Sequence, residues 1–303
     1  MFGNVANTDN EWFDFLSGQQ CDEVNFWSPS DFYTPRSAPP GSVWFFRLKA
    51  PRNVIGGFGI VEGFHKLESL LAWDCFEQAN GAASFESFQE KVLAKKKALK
   101  KDENGTLTPR IGCVSLSPVV FFPKDSWLRQ PNDWQPRNLR YKTYDLRDGE
   151  GLRIWEESQA LAALPSSQGP ERDGLTGKQA IIRYGQKAFK AALLDAYGKA
   201  CAVTRERSPA LDAAHIRPYA LEHRYPLDNG LLLRADLHRL FDRGFVTVTP
   251  NYCFEVSKRL RFDFENEIYF SLHGKKVYVP DSAIKAPASA NLKWHNENIY
   301  VGD

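Results

Sequence analysis

Three side chains in the stretch from Leu211 to Gly244 could do hydrolytic chemistry together: His215, Asn229 and His238. An imidazole whose ordinary pKa lies near neutrality can take a proton from water at physiological pH. A second imidazole can hold a divalent cation, and an amide can fix the backbone on which the first is mounted. Hydrolysis of a phosphodiester needs those parts: an activated water, a cation against the developing negative charge, and a rigid mount for both. His215 is read as the general base, His238 as a metal ligand, and Asn229 as the brace of the loop that follows His215. A hard ion such as Mg2+ wants at least one oxygen donor and keeps several waters. Asp212 is the favoured carboxylate. Asp242 is the alternative, since it can instead close a helix or pair with Arg239 or Arg243.

The elements that must position these groups are legible in the pattern. Ala210–Ile216 is short, apolar and stopped by Pro218, as a buried strand is, and Gly230–Arg234 is a second such run. Asp236 is placed to cap a helix over Leu237–Arg243 that ends at Gly244. Within that helix His238 and Asp242 share a face. Upstream, Gly185–Gly198 carries Phe189, Leu193, Leu194 and Tyr197 at helical spacing. Downstream, Phe245–Thr249, a Pro250-Asn251 turn and Cys253–Val256 read as a hairpin. His295, flanked by Trp294 and Asn296, is read as part of a C-terminal segment that docks on the fold.

The residues Ala213-Ala214-His215-Ile216-Arg217-Pro218 and Asn229 through Gly244, NGLLLRADLHRLFDRG, resemble the HNH endonuclease family. The subtype is the one with an AAHI-x-P segment followed by NGLLL-x-x-D-x-H-x-LFD-x-G. The resemblance reaches upstream to Cys201-Ala202-Val203-Thr204. It implies a ββα-metal fold and a divalent-metal nuclease, with the base, the middle asparagine and the metal ligand on His215, Asn229 and His238. There is one departure. Many HNH enzymes carry an aspartate just before the base histidine, where this chain has Ala214. Asp212 lies on the same strand face, one pair earlier.

The N-terminal part is rich in aromatic and strand signals. Gly41–Lys49 reads as a strand, Pro51-Arg52-Asn53 as a turn and Val54–Val61 as the next strand. The pattern PGSVWFFRLK…NVIGGFGIVEGF is similar to the barrel of a PUA-like domain, the superfamily of EVE and ASCH modules, in which a Gly-rich strand lies beside a ligand pocket. That resemblance implies a reader of nucleic acid, in several relatives a reader of a modified base flipped out of the duplex. A flipped base needs flat side chains to stack on and polar groups for its edge. Phe26, Trp27, Trp44 and Phe46 are the candidates, the alternative for each being a place in the barrel core.

At 303 residues the chain is long enough for two domains, and 25% charged with 43% hydrophobic residues is the composition of an ordinary globule. The expected division is a reader domain over 1–163, a linker over 164–179 rich in turn formers, and a nuclease domain over 180–303. A net charge of +2 does not argue for nucleic acid. The local cluster of Arg217, Arg224, Arg234, Arg239 and Arg243 does, because phosphate contacts supply much sequence-independent affinity. Lys95-Lys96-Lys97 reads as the exposed end of a helix. Five scattered cysteines without a C-x-x-C exclude a four-cysteine zinc knot and argue against a disulfide framework. No leader and no membrane-length apolar run is apparent, so a reducing cytoplasm is expected.

The fold class expected is α+β: a PUA-like β-barrel with flanking helices, then a ββα-metal domain. The function expected is a Mg2+- or Mn2+-dependent DNA endonuclease of the restriction and defence kind that recognises base-modified DNA. Cutting both strands with one site per chain favours a homodimer. Two other readings stay open: an HNH nuclease indifferent to modification, and a non-catalytic DNA-binding protein on an HNH scaffold.

Overall fold

The run Val43–Leu48, VWFFRL, is buried at all six positions, which makes it a strand covered on both faces. The computed structural model in which it lies describes residues 2–30, 38–99, 107–135, 140–163, 186–218, 226–281 and 285–302. The expected linker and the loop with Arg224 lie outside the described residues. The chain divides into two units, Met1–Ala180 and Ile181–Asp303.

In the first unit, β1 (Phe2–Thr8), α1 (Asn10–Gln19), β2 (Val24–Ser28), β3 (Val43–Leu48) and β4 (Val54–Glu68) are followed by α2 (Ser69–Phe76) and α3 (Phe85–Ala98). Then come β5 (Arg110–Phe121), the two-residue β6 (Leu128–Arg129), β7 (Tyr141–Asp145) and α4 (Gly149–Ala163). The strands form one mixed sheet in the order β2-β5-β4-β3-β1-β7, with β6 on β4. β1 runs parallel to β3 and antiparallel to β7; the other neighbours are antiparallel. On one face of β3, Trp44, Phe46 and Leu48 pack against Trp12, Phe13 and Leu16 of α1. On the other, Val43 and Phe45 pack with Ile55, Phe58, Tyr144 and Ile154 of α4.

The α+β class is as expected, but the expected closed barrel is not made. Among the described residues the end strands β2 and β7 do not pair with each other, and the sheet is open. The Gly-rich start of β4 also has a packing cause. A Cβ at Gly57 would stand 2.2 Å from the Val120 carbonyl oxygen, and one at Gly56 2.5 Å from the Phe13 ring. These glycines permit close approach of backbone and ring. Among the described residues no helix is long and apolar enough to cross a membrane.

The second unit contains α5 (Gln186–Ala196), β8 (Leu211–His215), β9 (Gly230–Arg234), α6 (Ala235–Asp242), β10 (Val246–Val248), β11 (Phe254–Val256), α7 (Arg259–Phe264) and α8 (Ser289–Asn298). β8 and β9 pair antiparallel, as do β10 and β11. The hydrophobic ladder sets the register: Leu211, Ala214 and Leu231–Leu233 are all buried. α6 starts earlier than expected, because Arg234 and not Asp236 occupies the residue before its first turn. Asp236 instead sits in that turn and pairs with Arg234 at 2.6 Å. The helix ends as expected at Gly244, whose φ is +75°. Gly244 N–H donates to the Phe241 carbonyl and Phe245 N–H to that of Leu240, the paired bonds of a Schellman turn.

α8 docks on this turn. Val301 N–H donates to the Gly244 carbonyl at 2.9 Å. The His295 ring, 2% exposed, stacks on Phe241 with centroids 3.7 Å apart. Burial pushes the His295 imidazole down to about 4, against the Phe241 carbonyl that favours its proton. The unfolded chain binds that proton near the ordinary histidine value of about 6.5. The stability His295 contributes is therefore fully present above about pH 6.5 and is lost as pH falls from there toward 4, by up to about 3 kcal/mol. Urea unfolding of the C-terminal unit should weaken over that window in the parent and less steeply in His295→Gln. Parallel pH curves for the two proteins would show that another group carries the acid sensitivity.

Candidate active site

His215 is the last residue of β8 and faces Gly230, the first of β9. A Cβ at Gly230 would lie 2.7 Å from the Phe189 ring and 2.8 Å from Leu193, so glycine there lets α5 come close. The Phe189 ring then stacks on the His215 imidazole, centroids 4.5 Å apart and 14° from parallel. Beyond His215 the chain is gripped by Asn229. Ile216 N–H donates to the Asn229 carbonyl at 3.0 Å. Arg217 N–H donates to Asn229 Oδ1 at 2.9 Å, and Asn229 Nδ2 donates back to the Arg217 carbonyl at 3.0 Å. Asn229 is fully buried. These bonds hold both residues after His215.

His238 stands on α6 between two carboxylates. Its Nδ1 is 3.4 Å from Asp212 Oδ2, and its Nε2 is 3.3 Å from Asp242 Oδ2. Both are long for hydrogen bonds. Adjacent donors around an octahedral ion at about 2.1 Å lie about 3 Å apart, so either pair approximates one edge of a coordination shell. The two ring nitrogens point in opposite directions, and one ion can use only one pair. Among the described residues no three His, Cys, Asp or Glu side chains converge as a metal cage. The donor set fits an ion held by one imidazole and one carboxylate with water completing its shell.

The surrounding charges bear on this choice. Lys190 Nζ lies 3.8 Å from Asp212 Oδ1. Burial pushes the Asp242 carboxyl up, against the pull of His238, and Asp212 adds to the rise. Burial lowers the His215 pKa, and the neighbouring His238 charge lowers it further. His215 therefore stands neutral at pH 7, the form that can accept a proton. Ala214 is fully buried and paired with Leu231, so the position before His215 supplies packing and no ligand.

The arginines divide. Arg239 and Arg243 are exposed on or beside α6. The Arg217 guanidinium lies 5.3 Å from the Trp294 ring centroid. Arg234, expected at the phosphates, is instead held by Asp236 through two bonds and by Glu206 at 3.1 Å, which raises its pKa further. A guanidinium clamped by two carboxylates has little left for phosphate. The contacts of Phe189 and Lys190 with the site were missed in the sequence; Phe189 showed only as one apolar position of α5, a pattern that does not say what the ring touches.

The N-terminal unit has a separate cavity of about 590 Å³, lined among others by Asp9, Trp12, Phe26, Trp27, Lys49 and Lys95. Lys95 sits 4.7 Å from the Trp27 ring centroid and 3.3 Å from Asp9 Oδ2. Trp27 Nε1 donates to the Asn80 carbonyl at 2.9 Å, fixing the indole. Of the four aromatic candidates, Phe26 and Trp27 line the cavity. Trp44 and Phe46 do not: both are fully buried in the core beneath α1, where no base could reach them. Of the lysine run expected at an exposed helix end, Lys95 is half-exposed and paired with Asp9, Lys97 is exposed, and Lys96 is instead buried.

Residues 201–249 match the HNH endonuclease family. His215, Asn229, His238 and the two carboxylates all fall inside that HNH segment. No curated protein matches the chain. Similar solved structures include a point mutant of ZmASCH from Zymomonas mobilis, 11% identical over 51% of this chain and 96% of that one, TM-score 0.36. ASCH from Zymomonas mobilis is 12% identical over 54% and 94%, TM-score 0.33. The modification-dependent restriction endonuclease TagI is 12% identical over 92% of this chain and 75% of that one, TM-score 0.29.

The brace of the HNH segment is open to a direct check. Asn229→Ala leaves the part-buried N–H and carbonyl of Arg217 without their partners, which should cost about 2 kcal/mol. Urea unfolding of the C-terminal unit measures it, and a loss under about 0.5 kcal/mol would show that the amide is not holding the loop.

Proposed function

We propose that this protein is a metal-dependent DNA endonuclease of the restriction kind, hydrolysing phosphodiesters in the HNH segment. One observation carries the reading. A neutral, ring-stacked His215, a backbone brace at Asn229 and a carboxylate-flanked His238 come together within the residues that match the HNH family. His215 accepts the proton of the attacking water. Asn229 keeps its backbone in place, and the Phe189 ring holds the imidazole plane. A divalent ion, Mg2+ or Mn2+, held by His238 with Asp212 or Asp242, would supply positive charge against the phosphate oxygens. Arg217, Arg239 and Arg243 contact the DNA backbone; Arg234 organises the start of α6 instead.

The N-terminal unit, over about residues 1–163, is assigned the reading of DNA, with the cavity beside Trp27 as the place for a flipped, modified base. Flat rings, a carboxylate and two lysines offer stacking, edge hydrogen bonds and phosphate contacts in one site. The domain division, action as a homodimer and a cytoplasmic, host-defence setting belong to the same proposal.

Paired plasmids, unmodified and cytosine-modified, incubated with Mg2+ or Mn2+ test the whole reading. His215→Ala should lower cleavage by roughly 10²–10⁴-fold with DNA binding retained. Near-parent cleavage by a folded His215→Ala protein would remove His215 from the role of base. A second expectation concerns the cavity. The parent should bind modified duplex more tightly than its unmodified twin, and Trp27→Ala should narrow that gap without unfolding the chain. Equal affinities of the parent for both duplexes, across a panel of common base modifications, would end the modified-base reading and leave the nuclease reading standing.

A further inference from the structure

α8 carries a run of hydrogen bonds that ends on the backbone of α6. The partner of His295 Nε2 there, at 3.1 Å, is the Phe241 carbonyl oxygen, which can only accept. Nε2 therefore holds the ring proton, and Nδ1 of the neutral ring is an acceptor. Nδ1 lies 2.8 Å from the Thr247 hydroxyl, which donates to it and in turn accepts from Asn296 Nδ2 at 2.7 Å. Every direction in the relay is fixed by the one before. Thr247 is fully buried and His295 nearly so.

The end of α6 is closed by the turn at Gly244, whose N–H shares the Phe241 carbonyl with His295 Nε2, so the ring adds a hold from outside the helix. The helix has eight residues and no side-chain bond capping its N-terminus, and a helix that short has no stability of its own. Where its side chains stand is decided by what holds its ends. Phe241 is flanked in sequence by Asp242 and lies one turn from His238, so its carbonyl is a handle on both.

We propose that His295 is a positioning residue for the metal-holding edge of α6, placing His238 and Asp242 against Asp212 of β8 through its bond to the Phe241 carbonyl. The inference rests on the reading of His238 as a metal ligand. Mn2+ alone is the probe, its binding to the full chain followed by the spectrum of the free ion at fixed pH and well below the unfolding temperature, with DNA cleavage measured alongside. His295→Phe keeps a flat ring on Phe241 and removes both hydrogen bonds. His295→Gln gives up the ring but keeps an amide that can donate and accept.

The expected result is that His295→Phe weakens Mn2+ binding on the order of tenfold and lowers kcat with little change in KM for DNA, while His295→Gln restores most of both. Thr247→Val, which removes only the hydroxyl that orients the ring, should shift Mn2+ binding the same way by a smaller factor. A role in packing alone gives the reverse order, with Phe like the parent and Gln impaired. That order, or equal Mn2+ binding by parent and all variants, overturns the inference while leaving His238 as a ligand. A parent chain that binds no Mn2+ overturns the ligand reading first and the inference with it.

Discussion

The buried amide of Asn229 donates to and accepts from the backbone of the same residue, Arg217, while its own carbonyl takes the N–H of Ile216. Where a strand ends, its backbone groups lose their ladder partners, and those shielded from water must find others. In the second unit that requirement and the placement of His215 are met by one residue. Once 216 and 217 are fixed, the last residue of β8 has no freedom left in its backbone. Gly230 then brings Phe189 over the imidazole, and the β8–β9 pair supplies the floor on which α6 lies. The other parts of the HNH segment are arranged around that reciprocal bond.

His238 meets a different constraint. Its ring is placed by a helix too short to hold itself, and both nitrogens face carboxylates from different elements. Asp212 comes from the strand and Asp242 from the helix itself, so the two pairings respond differently to any movement of α6. Lys190 reaches Asp212 from α5 and offsets part of its charge. The site thus joins three elements through charge, where the Asn229 brace ties the ends of two strands through side-chain and backbone hydrogen bonds.

Much of the second unit was legible in the sequence because its signals are local. Apolar runs bounded by Pro218, Gly230 and Gly244 gave both strands and the end of the helix. What was not legible depends on neighbours far along the chain. Arg234 looks like a phosphate contact until Glu206 and Asp236 are seen around it. Asp236 looks like a cap until Arg234 takes it. In the first unit, Trp27 and Trp44 are equally plausible stacking rings as letters. Trp44 lies on β3, which is covered on both faces, whereas Trp27 lies on β2 at the end of the sheet order and borders the cavity. The barrel that the resemblance implied is an open sheet, because strand-end pairing is a property of register that no single run of residues carries.

The placement of β1 has a kinetic meaning. This opening strand lies inside the sheet, bonded to β3 on one side and β7 on the other, and the Thr143 hydroxyl donates to Asn4 across 139 positions of sequence. Closing so long a loop costs entropy before any contact repays it, and chains dominated by such contacts fold slowly. Until β7 exists, β1 has a bare edge and the apolar face that α4 covers is open to solvent. A nascent chain is therefore most prone to stray pairing while its first half is being made, so chaperone supply during synthesis should bear on how much of this protein reaches the folded state.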